Sequence, residues 1–162
     1  MTGAPGSGKS TLLPHLVKYP FAAVDFDELL EPDGSVLGEK IASAAASHRW
    51  PAYNRLWVRI IAMMLRADRP VLVLCPLTPE EWARAAAGVA GLPPVAWARL
   101  DCDDADRRAR LAARGWDGGR VEDALADARE LRRVISREFT TSGRAAPDVA
   151  AELSAWVGDS EG

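Results

Sequence analysis

The sequence predicts an α/β fold in which a parallel sheet lies between layers of helices, and three observations carry that expectation. Short apolar runs of strand length alternate with longer runs of helical period, the pattern left by strand–helix–strand units. A glycine-rich stretch close to the start opens directly into a helical run. The chain has 162 residues, enough for one domain to bury its own core without disulfide or metal staples.

Taken in order, strands are predicted over residues 21–25, 71–75, 95–101 and 137–141. Helices are predicted over 9–18, 37–47, 52–67, 80–90, 103–114, 121–134 and 146–157. Thr78-Pro79-Glu80-Glu81 carries a capping Thr, a first-turn Pro and two carboxylates that suit the positive end of a helix. Pro14 lies past the first turn of its helix and removes one hydrogen bond, so a local kink is expected there. Met63 and Met64, with Trp57, Ile60 and Ile61, read as an ordinary buried face. Gly118-Gly119 reads as a mobile turn inside a single domain spanning 1–162.

Composition narrows the function classes. The formal charge is -3 and the pI near 5.4, although 17 of the 20 cations are arginine, so no basic footprint for nucleic acid is present. Cys75 and Cys102 have neither the number nor the spacing of a disulfide framework or a zinc site, which fits a reducing cytoplasm. The sequence offers neither a signal-peptide pattern nor an apolar stretch of membrane-crossing length, so no membrane partner is expected.

Gly3-Ala4-Pro5-Gly6-Ser7-Gly8-Lys9-Ser10 satisfies G-x-x-x-x-G-K-[ST] at every fixed position, and Thr11 follows. Glycines let such a backbone wrap so that successive N–H groups face a phosphate, with the next helix offering its positive end. Lys9 is placed to reach the β and γ phosphates of ATP, and the Ser10 hydroxyl to ligate Mg²⁺. The bland alternative is an accidental glycine-rich turn. Only Met1 and Thr2 precede Gly3, so the apolar strand that feeds such a loop is largely missing from its usual place. About five upstream aliphatic or β-branched residues are expected to form it.

Asp25-Phe26-Asp27 closes the predicted strand 21–25, at the end of a parallel strand where α/β ligands bind. Its carboxylates suit a metal-bound water and an acceptor hydroxyl; the alternative is an Asx turn that caps the next helix. With loop and carboxylates in place, the chain resembles the shikimate, gluconate and adenylate kinase-like group of small P-loop phosphotransferases, AAA-type ATP-binding proteins. Asp25-Phe26-Asp27-Glu28-Leu29-Leu30-Glu31 is similar to the D-x-D-x-x-x-E segment of shikimate kinases. That resemblance implies a three-layer P-loop NTPase fold, with Asp25 supporting Mg²⁺ and Asp27 orienting the acceptor. Leu100-Asp101-Cys102-Asp103-Asp104 and the arginines 107, 108, 110 and 114 look like the strand and helix leading into a lid over about 107–120. Lid arginines, here Arg110 and Arg114, would neutralise the transferring phosphoryl group; a solvated helix face is the alternative. Phe139-Thr140-Thr141-Ser142-Gly143-Arg144 looks like the segment near the adenine, and helices over about 37–67 would form the substrate side.

Two departures stand out. The run 71–75 ends in Cys75-Pro76-Leu77 where a standard Walker B strand carries Asp, and no Gly-Gly-Gly segment follows. The implied activity is transfer of the γ-phosphoryl group of ATP to a small hydroxyl-bearing substrate. A nucleotide switch or accessory ATPase without such an acceptor, or a non-catalytic binding module, are the competing classes. No guanine-reading N-K-x-D motif is present, which disfavours a GTPase.

Overall fold

The computed structural model describes residues 1–41 and 44–159. After the glycine-rich loop the chain forms α1 (Lys9–Leu16), β1 (Ala22–Asp25) and a 3-10 turn (Phe26–Leu29). A small hairpin follows, β2 (Ser35–Val36) and β3 (Glu39–Lys40), then a 3-10 segment (Ala44–Arg49) and α2 (Trp50–Leu65). The second half runs through β4 (Val71–Leu74), α3 (Pro79–Ala86), β5 (Arg99–Asp101), α4 (Asp104–Ala113), α5 (Gly118–Val134), β6 (Glu138–Thr140) and α6 (Ala146–Asp159).

β1 pairs in parallel with β4, Ala22 opposite Val71, and β5 pairs in parallel with β6, Arg99 opposite Glu138. Thr2 joins the two pairs by bridging Cys75 on one side and Arg99 on the other, both in parallel. Its N–H donates to Ala98 O at 2.9 Å, and Gly3 N–H donates to Cys75 O at 3.2 Å. Spatial order is therefore β1, β4, Thr2, β5, β6. The loop leaves the middle of the sheet at its C-terminal end, where open α/β sheets bind ligands.

The layers follow from the two-residue alternation of strand side chains. Leu72 and Leu74 of β4 pack with Leu12 and Leu16 of α1 and with Val149 and Leu153 of α6. Val71 and Val73 turn the other way, onto Trp57 and Ile61 of α2 and Trp82 of α3. α5 rests Ala128, Leu131 and Ile135 against Ala4 of the loop. Leu74 is fully buried, so truncation to Ala is expected to cost about 2–5 kcal/mol in a denaturant titration.

Several boundaries differ from the sequence expectation. The helix expected over 37–47, and with it the first part of the substrate-side helices over 37–67, is a hairpin up to Lys40 and a 3-10 segment from Ala44, not a continuous α-helix. Gly34 and Gly38 have φ near 79° and Leu37 has φ 52°, values that close a hairpin and are foreign to a helix. Residues 42–43 of that expectation lie outside the described residues. Gly118-Gly119 is no turn but the opening of α5, because Asp117 caps it by accepting from Arg120 N–H at 3.0 Å. The strand expected over 95–101 forms only at Arg99–Asp101. α1 continues through Pro14 and ends at Leu16.

Candidate functional site

Two left-handed glycines shape the loop. Gly6 has φ 81° and Gly8 φ 99°, a region that costs side-chain-bearing residues roughly 1–2 kcal/mol. Gly3 is needed for space instead, because a Cβ there would lie 2.6 Å from Ser7 Oγ and 2.9 Å from Leu100 O. Gly8 then starts α1, whose first N–H groups, from Lys9, Ser10 and Thr11, have no intrahelical acceptor. Ser10 and Thr11 are exposed at this helix start.

Lys9 folds back over the loop and donates from Nζ to Gly3 O. Burial pushes its ammonium below the ordinary lysine value, opposed by the nearby charges of Asp25 and Asp27. The cation and the two carboxylates therefore share one electrostatic neighbourhood at the sheet's C-terminal end.

Asp25 is the last residue of β1 and is buried. Its side chain accepts from Asp27 N–H at 3.2 Å while Glu28 Oε2 accepts from Asp25 N–H at 2.7 Å, a reciprocal cap on the turn that follows. The capping alternative drawn from the sequence is thus realised by one oxygen. Among the described residues Asp25 Oδ2 is buried with no hydrogen-bond partner, and burial raises the carboxyl above its ordinary value. Asp27 is exposed. Between them, Phe26 is buried, stacked on Trp57, and its carbonyl accepts from Trp57 Nε1 at 2.9 Å and from the Tyr53 hydroxyl. α2 thereby fixes the backbone that carries both carboxylates.

Cys75 occupies the position of the Walker B carboxylate. Burial pushes its thiol upward, so it stays protonated and supplies no charge for a cation. The residues present fit a polyphosphate with a divalent cation: left-handed glycines, free helix-start amides, a lysine, and a buried carboxylate oxygen without a partner.

Arg110 and Arg114 are separated by their surroundings. Arg110 donates to Gly6 O (3.1 Å) and to Thr141 Oγ1 (2.8 Å). Arg114 is exposed and, with Gly8, Thr11, Arg110, Thr141 and Arg144, lines a cleft of about 460 Å³ beside the helix start. Residues 107–120 form the later part of α4, a short connection and the start of α5, with Trp116 packed on Leu111, Val121 and Leu125.

Sequence reasoning left Arg107 among lid or surface arginines, yet it is fully buried. It reaches Asp101, which also accepts from Arg132 Nε at 2.6 Å and from Cys102 N–H at 2.8 Å. Burial alone would raise Asp101, but these bonds and the charges of Arg132 and Arg107 outweigh it and hold the carboxyl below its ordinary value. The available signal was an Asp that ends a strand six residues before an Arg of the next helix.

The sheet order and the glycine-rich loop that leaves its centre define a P-loop kinase-like fold. Residues 1–137 match the family described as AAA domain, and the chain belongs to that family. A comparison with curated proteins returned no match. Among solved structures, a shikimate kinase from Acinetobacter baumannii in complex with shikimate is similar, with TM-score 0.67, 15% identity and coverage of 99% of this chain and 92% of that one. A sugar kinase from a Janibacter species gives TM-score 0.66, 16% identity and coverage of 97% and 91%. A gluconokinase from Sinorhizobium meliloti gives 0.60, 19%, and coverage of 98% and 89%. At these identities the likeness is one of fold.

Proposed function

We propose that this chain transfers the γ-phosphoryl group of ATP to a hydroxyl of a small acceptor. The observation that carries the reading is the loop built on left-handed Gly6 and Gly8, with Lys9 folded onto Gly3 O, at the same end of the sheet as the buried Asp25. The names of the structural neighbours, kinases of a sugar, gluconate and shikimate, support the same class.

Each residue then has a role. Amides of the loop, Gly3 through Thr11, with Ala4, Pro5, Gly6, Ser7 and Gly8 setting its shape, hold the phosphates, and Lys9 leaves Gly3 O to reach them. Ser10 and Asp25 would hold Mg²⁺, which when bound would supply charge neutralisation at the phosphates. Asp27, exposed and ionisable, orients the acceptor and takes its hydroxyl proton. Arg110 and Arg114, on the cleft wall, neutralise charge on the group in transit. No described helix is long and apolar enough to cross a membrane.

The test is ATP consumption with Mg²⁺ against a panel of hydroxylated metabolites and antibiotics, with products read by phosphorus NMR. A phosphorylated acceptor is expected. Release of ADP and phosphate at one rate whatever the acceptor would replace this reading with a switch or accessory ATPase.

A further inference from the structure

The carbonyl oxygens of the loop are held from outside it. Arg107 Nη1 donates to Pro5 O at 2.5 Å, and its Nη2 donates to Asp101 Oδ1 at 2.5 Å. Arg110 donates to Gly6 O, joined there by the Cys102 thiol at 3.5 Å. The Thr141 hydroxyl donates to Ser7 O at 3.0 Å. Three consecutive carbonyls are thus tied to α4, to the residue after β5 and to the residue after β6.

A peptide group is planar and trans, so one residue's carbonyl and the next residue's N–H point in opposite directions. Fixing Pro5 O on Arg107 turns Gly6 N–H away from α4. Fixing Ser7 O on Thr141 likewise turns Gly8 N–H away from β6. The loop has little slack in which to deviate, since a Cβ on Gly6 would lie 3.1 Å from Arg107 Cγ and 3.2 Å from Leu111 Cγ. Asp101 anchors both ties: its carboxylate holds Arg107, and its backbone oxygen accepts Thr141 N–H at 2.8 Å.

We propose that Asp101, Arg107 and Thr141 are positioning residues that preset the amides of the loop for a polyphosphate by holding its carbonyls. This rests on the nucleotide reading above. Its energetic basis is that donors already aimed at an anion need no reorganisation when it arrives. Losing one tie lets a peptide group rotate and weakens binding of the anion by about tenfold, which corresponds to about 1.4 kcal/mol.

The experiment measures Kd by calorimetry for two probes, MgATP and inorganic tripolyphosphate. The proteins are the parent chain, Arg107→Lys, Thr141→Val and Thr141→Ser, each with its fold checked by near-UV circular dichroism. Arg107→Lys and Thr141→Val are expected to bind both probes about tenfold more weakly, and Thr141→Ser, which keeps the hydroxyl, to bind like the parent. Tripolyphosphate has no base, so a loss there is not a loss of adenine contacts. A merely structural role would lower Tm and leave Kd of the folded protein alone. Values within about twofold of the parent for both probes overturn the proposal. Should Arg107→Lys fail to fold, the Thr141 pair decides. A parent chain that binds neither probe overturns the nucleotide reading instead, a result distinct from a parent that binds and variants that do not change.

Discussion

The phosphate loop and the acceptor side are built on opposite plans. Around the loop, Arg107, Arg110, Thr141 and Cys102 each hold a backbone carbonyl, and the anchoring Asp101 is buried. Beyond Asp27 the chain runs through a two-residue-per-strand hairpin whose tip residue Leu37 is 93% exposed. That hairpin is tied to the 3-10 segment by a half-exposed pair, Arg49 with Glu39 at 2.9 Å. On the phosphotransfer proposal, the contrast would assign rigidity to the shared reagent, ATP, and adaptability to the variable one, the acceptor.

The sharpest way to break this contrast lies on the rigid side. Lys9→Ala is expected to lower turnover by at least about 10²–10³-fold while the melting temperature stays close to that of the parent. Near-normal turnover would remove the phosphate assignment. On the acceptor side, Asp27→Asn is expected to slow transfer by about 10²-fold or more while MgATP affinity hardly moves, as read by calorimetry beside steady-state kinetics. Equal small changes in both would leave Asp27 as no more than part of a cap.

A smaller effect concerns Asp25. Burial raises its carboxyl, so the folded state holds the proton more tightly than the unfolded chain. Its contribution is most favourable below the ordinary aspartate value and is lost as pH rises through the folded-state value. Asp25→Asn is therefore expected to raise Tm at neutral pH by about 2–4 °C, roughly 1 kcal/mol for a chain of this size, with the gain vanishing in acid and Mg²⁺ dependence of turnover weakened. A lower Tm at neutral pH would contradict it. Smallest of all, Glu39→Ala is expected to change global stability by less than about 1 kcal/mol yet to speed hydrogen exchange in the hairpin. Unchanged exchange there would make the two sides equally rigid.

What could be read from the sequence follows the range of the interactions. The loop was legible because its chemistry fixes residue types at fixed spacing. The cap at Thr78 was legible for the same reason, and Glu81 does accept from Thr78 N–H at 2.8 Å. The strand at 71–75 was legible because its run is apolar throughout, as a strand buried on both faces is. Arg107 was not legible, because buried and solvated arginines leave the same helical pattern. Its burial is decided by Pro5, 102 residues away in the chain. The hairpin at Ser35–Lys40 was missed because Leu37 and Ile41 sit at helical spacing, and only the positive φ of Gly34, Leu37 and Gly38 overrides that period.

The two buried thiols turn the fold into a pair of clocks. Burial raises both above the ordinary cysteine value, so in the closed protein neither presents a thiolate to a labelling reagent. Cys75 sits in the apolar layer between the sheet and α2, so its labelling has to wait for the core to open. Cys102 touches Gly6 O at the rim of the loop, so its labelling times the opening of that rim. MgATP should slow the Cys102 clock by a larger factor than the Cys75 clock, and equal slowing by mass spectrometry would mean that the rim and the core open together. Each molecule thus carries, in two sulfur atoms, a record of how long its loop stays formed.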